Sequence, residues 1–135
     1  MLEEFLNMGK ESSVPFLPFI EKIEDYKNFR VMRLKGAIDM STIPEFSKMV
    51  PKAKNNKGSL KQNLLLDFRK VTHVDSSTIA ILLVALNELK HEKHKLVLAN
   101  VPENLKGMLD ISEINDLFTI YDSEEDAYND LKEGK

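Results

Sequence analysis

At 135 residues, 42% hydrophobic and 30% charged, the chain is long enough for one domain with its own core. Its 19 basic and 22 acidic residues leave a formal net charge of -3, too small and too evenly spread for a nucleic-acid footprint. Cysteine is absent, which excludes disulfides and thiolate metal sites and fits a reducing compartment.

The first residues, MLEEFLNMGK, carry acids where a secretory leader is basic. The longest apolar run, Ile79 to Leu86, is far shorter than the roughly 20 residues of a membrane-spanning helix. The expectation is a cytoplasmic protein without a membrane span. Residues 1–15 read as an N-terminal extension, with Leu2, Phe5 and Leu6 at one-face helical spacing, and 16–135 as the domain. Residues 1–18 are also the candidate segment for a homodimer contact.

VPFLPFIEKIED, with two prolines, predicts an extended edge segment. NFRVMRLKGAID predicts a strand closing at Gly36. In STIPEFSKMVPKAK, Ser41 and Thr42 are N-cap candidates, Pro44 suits the first turn, and Ile43, Phe46 and Val50 share a face, so a helix is expected from about residue 43. NNKGSLKQ reads as a surface loop, and Lys52, Lys54, Lys57 and Lys61 as its solvated basic residues. NLLLDF predicts an interior strand covered on both faces. A helix to Lys90 follows VDSS, HKLVLANV is another strand, and Pro102 opens a helix in which Leu105, Met108 and Leu109 share a face. DLFTIYD predicts a strand, and SEEDAYNDLKE an acid-first helix capped by Ser123. Met32, Met40, Met49 and Met108 are expected in or near the core. The alternation of strands and helices predicts an α/β fold around a largely parallel sheet.

The informative stretch is VTHVDSSTIAILLVALNEL, residues 71–89. Ile79, Leu82, Leu83, Leu86 and Leu89 form a helical stripe that can cover a sheet, leaving Ala80, Ile81, Val84 and Ala85 at positions that should face water. An uncovered apolar surface usually marks an interface, and Ile79, Ile81, Val84 and Ala85 are the expected partner surface. At the helix head, Asp75, Ser76 and Ser77 are all N-cap types. Capping accounts for one of them, which leaves hydroxyls as candidates for exposure and modification.

Catalytic and metal chemistry find little support. A serine hydrolase needs a base and an oxyanion site near the nucleophile, G-x-S-x-G is absent, and His73, three residues before Ser76, reads as structural. His91 and His94 could share a helix face but have no third ligand, and suit a solvated helix terminus better. No glycine-rich phosphate loop is present. No catalytic residue, metal ligand or cofactor is therefore assigned, and the chain is expected not to be an enzyme.

LKGAID (Leu34 to Asp39), LLLDFRKVTHVDSS (Leu64 to Ser77) and VPENLKGMLDISEINDLFTIYDSEEDAYNDL follow one another in an order and spacing that resembles the STAS domains, and within them the bacterial anti-sigma factor antagonists. The resemblance covers about residues 20–131. It implies a mixed, mainly parallel β-sheet with helices packed mostly on one face. It also implies that Ser76, directly after the aspartate, is phosphorylated by an anti-sigma factor with serine kinase activity. The unphosphorylated protein would bind that factor and free a sigma factor, and a serine phosphatase would reset it. Asp75 and Asp39 would shape the site, with Ser77 and Thr78 as helix caps or secondary acceptors. The alternative within the family is a STAS subunit of a stressosome-like scaffold or of a lipid-transport ATPase, never phosphorylated. Where the family usually has G-L-G, this chain has Thr78, Ile79 and Ala80, so a β-branched side chain is expected where a partner's backbone would approach.

Overall fold

The computed structural model describes residues 10–11, 17–46, 63–111 and 113–132. The stripe of Leu2, Phe5 and Leu6, Met49, Val50 and the four loop lysines lie outside the described residues. Among the described residues, six strands form one sheet in sequential order: β1 (Lys10–Glu11), β2 (Ile20–Asp25), β3 (Phe29–Ile38), β4 (Asn63–Val74), β5 (Leu96–Ala99) and β6 (Thr119–Tyr121). The β1–β2 and β2–β3 pairs are antiparallel, while β3–β4, β4–β5 and β5–β6 are parallel. Three helices are described in full, α1 (Ser77–His91), α2 (Glu103–Ile111) and α3 (Glu124–Lys132), and 43–46 form the start of another. The sheet is the mixed, mainly parallel one expected of this α/β chain.

Burial explains the strand sequences. Leu64 to Phe68 are all buried, because central β4 is covered on both faces. Leu64, Leu66 and Phe68 join Ile81, Leu82, Ala85, Leu86 and Leu89 of α1, Leu105 and Leu109 of α2, and Phe46 in the larger core. Leu65 instead joins Val31, Val97, Ala99, and Ala127 and Leu131 of α3. Helices thus lie mostly on one face, with α3 alone among the described helices on the other. β6 is shorter than DLFTIYD predicted, because Asn115–Leu117 form a 3-10 turn before it.

Two irregularities in the β3–β4 ladder position the site. Each places an extra residue in β4, between Arg33 and Lys35 and between Gly36 and Ala37 of β3. The first of the two ends at Lys35, and Gly36, beside it, takes φ +69, which glycine adopts without the penalty of a Cβ. β3 therefore continues through Gly36 to Ile38 rather than ending there. At the far end the Asp75 N–H donates to the Ile38 carbonyl at 2.9 Å, so the loop leaving β3 and the loop leaving β4 lie side by side.

Candidate functional site

The loop after β3 is built by Asp39. Its carboxylate accepts from the Ser41 N–H at 2.9 Å and from the Ser41 hydroxyl at 2.6 Å. The Asp39 N–H donates to Thr42 Oγ1 at 2.9 Å, and the Thr42 hydroxyl reaches the Ala37 carbonyl at 3.1 Å. Of the two cap candidates, Thr42 holds the N-cap place, since its carbonyl accepts the first helical bond from the Phe46 N–H. The Ser41 hydroxyl bond, with the backbone bonds beside it, holds the Asp39 carboxyl below the usual carboxylate range. Met40, expected near the core, is instead 77% exposed.

The loop after β4 is a tight turn. The Thr78 N–H donates to the Asp75 carbonyl at 3.0 Å and the Ile79 N–H to the Ser76 carbonyl at 3.0 Å, three-residue bonds that tighten the start of α1. Ser76 holds the N-cap place in a helical conformation (φ -61, ψ -26), where its hydroxyl makes no capping bond. The residue is exposed. His73 Nε2 lies 3.2 Å from Asp75 Oδ1, so a histidine that the sequence marks as structural belongs to the surface around Ser76. On the inner side, Asn104 Nδ2 of α2 donates to the Val74 carbonyl at 3.0 Å and anchors the turn. The partner of His73 lies only two residues along the chain, whereas no sequence signal picks out Asn104, because its partner thirty residues away is supplied only by the fold.

The three hydroxyls separate cleanly. Ser77 Oγ and Thr78 Oγ1 are shut away from solvent and have no hydrogen-bond partner. The expectation that they cap the helix or serve as accessible acceptors is corrected, because the tight turn directs both inward. Thr78 is fully buried, so its branched side chain does not stand where a partner's backbone would approach. The outer surface there is Ser76, Ala80 and half-buried Ile79.

The expected phase of α1 is also corrected. Ile81 is 8% exposed and Ala85 1%, and both pack into the core with Leu82, Leu86 and Leu89. Neither offers a side chain to a partner. Val84 is 50% exposed, Ala80 is exposed, and Ile79 and Leu83 are half-buried at the border of the core. The apolar surface beside Ser76 is therefore narrower than the sequence indicated. Lys90 and His91 are the basic residues of the last turn of α1, and the described residues hold no group of three or more His, Asp or Glu that could bind a metal ion.

Residues 21–127 match the family model described as the STAS domain. Among solved structures, the chain is similar to the Bacillus anti-sigma factor antagonist SpoIIAA in its unphosphorylated form, at 16% identity and a TM-score of 0.64, over 95% of this chain and 100% of that one. An anti-sigma factor antagonist from Mycobacterium paratuberculosis matches at 22% identity and a TM-score of 0.66, over 82% of this chain and 91% of that one. The murine anion transporter Slc26a9 matches at 18% identity and a TM-score of 0.64, over 79% of this chain and 18% of the transporter. No helix among the described residues is long and apolar enough to cross a membrane.

Proposed function

From a chain that belongs to the STAS domain family, we propose an anti-sigma factor antagonist controlled by phosphorylation of Ser76. Unphosphorylated, it binds an anti-sigma factor with serine kinase activity and so frees a sigma factor; a serine phosphatase reverses the modification. The observation that carries this reading is the exposed Ser76 at the head of α1, its hydroxyl not committed to the helix cap. Asp75 and Asp39 are its acidic neighbours, and Ile79, Ala80 and Val84 are the apolar surface a partner would cover.

A phosphoryl group at Ser76 adds about -1.5 to -2 charges. The head of α1 favours it by roughly 0.3 to 1 kcal/mol, and the acidic neighbours Asp75 and Asp39 act against it. With neither effect dominant, the phosphate acts outward, on the partner. A thousandfold weakening requires about 4 kcal/mol, which a desolvated, unpaired charge at an interface supplies.

Intact-mass measurement on protein from native cells tests the switch. The expected result is an 80 Da increment, the mass of one phosphoryl group, that is absent from Ser76→Ala protein. Ser76→Asp is expected to lose capture of the kinase-like partner while its melting temperature stays close to that of the unmodified protein. Equal capture by Ser76→Asp would refute the electrostatic mechanism. The structural match to an anion transporter supports a second reading, a STAS subunit of a transporter or scaffold that is never phosphorylated. Absence of the increment under every growth and stress condition would favour that one.

A further inference from the structure

On the face of the sheet opposite α1, an open cleft of about 400 Å3 lies at the carboxyl ends of β5 and β6, beside the head of α3. Strand pairing builds it. Asp67 of β4 pairs with Arg33 of β3 on one side and with Ala99, the last residue of β5, on the other, and Ala99 pairs with Tyr121, the last residue of β6. In an open α/β sheet the crevice outside the carboxyl ends of the strands is where ligands bind. Arg33, Asp67, Arg69, Asn100, Ser123 and Glu124 line this one, all of them polar or charged, so it offers nothing to an apolar ligand.

The charges of the lining are unevenly partnered. Arg33 is fully engaged: Nε and one terminal nitrogen donate to the two Glu124 oxygens at 2.9 and 2.6 Å, and the other terminal nitrogen pairs with Glu24. Asp67 is 5% exposed and is the one charged residue among the buried described residues. None of the ion pairs among the described residues includes it. The Arg69 N–H and Asn100 Nδ2 both donate to its Oδ1 at 2.9 Å, bonds that favour the ionised form. Both fall on one oxygen, which leaves Oδ2 for the cleft. A carboxylate buried without a cation is costly, so the floor of the cleft lacks a positive charge.

The rim lacks a negative one. Arg69 is exposed, lines the same cleft, and enters none of those ion pairs. Asn100 fixes the distance between floor and rim. It takes φ +55, a conformation asparagine tolerates better than most residues, with its N–H donating to the Tyr121 carbonyl at 3.2 Å and its side-chain amide turned back to Asp67. At the head of α3, Ser123 Oγ accepts from the Asp126 N–H at 3.1 Å and closes the cleft on that side.

We infer that this cleft binds a small zwitterionic amino acid, its ammonium group on Asp67 Oδ2 and its carboxylate on Arg69. An ammonium has three donors and no acceptor, which suits a carboxylate oxygen, and the guanidinium fork matches a carboxylate with two parallel bonds. The lining also selects against other ligands. A simple cation would meet the like charge of Arg69 at the entrance, and a simple anion such as inorganic phosphate would meet the carboxylate of Asp67 at the floor. No aromatic side chain is among the lining residues, so a base has no face to stack on.

Amide NMR titration of the full chain with the standard amino acids, one at a time to about 10 mM, tests the site. At least one is expected to shift the amides of Asp67, Arg69, Asn100 and Glu124 to saturation while those of α1 stay in place. Two relatives of that amino acid then separate the charges: the amine without the carboxylate, and the hydroxy acid without the ammonium. Each is expected to bind at least about tenfold more weakly, and Asp67→Asn and Arg69→Gln to weaken the amino acid by at least about tenfold. Arg69 is exposed, so Arg69→Gln keeps the fold and decides the matter where Asp67→Asn does not fold. No shift with any amino acid, equal binding of the amine or of the hydroxy acid, or unchanged binding by Arg69→Gln would each overturn the inference.

Discussion

Thr78→Val tests the inner half of the α1 head. Thr78 has no exposed surface, and its hydroxyl oxygen has no hydrogen-bond partner. A buried polar group left in that state costs about 1–3 kcal/mol. Valine keeps the branched shape and nearly the same helix propensity, removes the hydroxyl, and buries a methyl group worth about 0.8 kcal/mol. Since the chain can relax around a hydroxyl, the lower end of the summed range is the expected gain, about 2 kcal/mol. At a urea slope of about 1.5 kcal/mol/M this raises the unfolding midpoint by roughly 1 M. Urea unfolding followed by circular dichroism measures it, with Thr78→Ser as control. The serine variant keeps the hydroxyl and loses a buried methyl, and is expected to lose about 1 kcal/mol. Because Ser76 faces outward independently of Thr78, partner capture is expected to be the same in all three proteins. A Thr78→Val protein no more stable than the parent would refute the reasoning, since the hydroxyl would then be satisfied in solution.

The phase of α1 is checked by a pair of substitutions: Ile81→Ala is expected to cost about 2–4 kcal/mol in thermal or urea unfolding, whereas Val84→Ala costs under about 0.5 kcal/mol and weakens partner capture. Gly36→Ala meets no atom within 4 Å of its new Cβ, but the φ of +69 strains any L side chain, so a loss of about 1–2 kcal/mol is expected without a change of fold. Ser41→Ala removes the main bond that depresses Asp39, and the Asp39 carboxyl is expected to rise toward its ordinary value in an NMR titration. The sign follows from linkage: the Asp39 contribution is present above its unfolded pKa and lost as pH falls through the depressed one, so Ser41→Ala lessens acid sensitivity.

Apart from β1, which lies in the residues read as an N-terminal extension, the described elements and their order were legible in the chain itself. Short apolar runs such as NLLLDF and HKLVLANV suit strands covered on both faces, and Ser123, Thr42 and Pro102 stand at or just before the helix starts that their local chemistry favours. The D-S-S segment marked the right place for the site, since an acid and hydroxyls at a helix head are a local pattern. The phase of α1 was not legible. From Ile79 to Leu86 every residue is apolar, so the sequence has no polar position to show which side faces water. The sheet decided it, by taking Ile81, Leu82, Ala85 and Leu86 and leaving Ala80 and Val84 outside.

Composition and periodicity are properties of neighbours along the chain, and they determined an α/β domain with a hydroxyl-rich helix head. Which hydroxyl faces solvent depended on the tight turn after Asp75 and on two extra residues in β4, which bring that turn against the end of β3. Arg33, Asp67, Asn100 and Glu124 are scattered over ninety residues and carry no motif. Only parallel strand pairing and the return of α3 to the second face place these side chains together, and burial then gives that meeting its energetic weight.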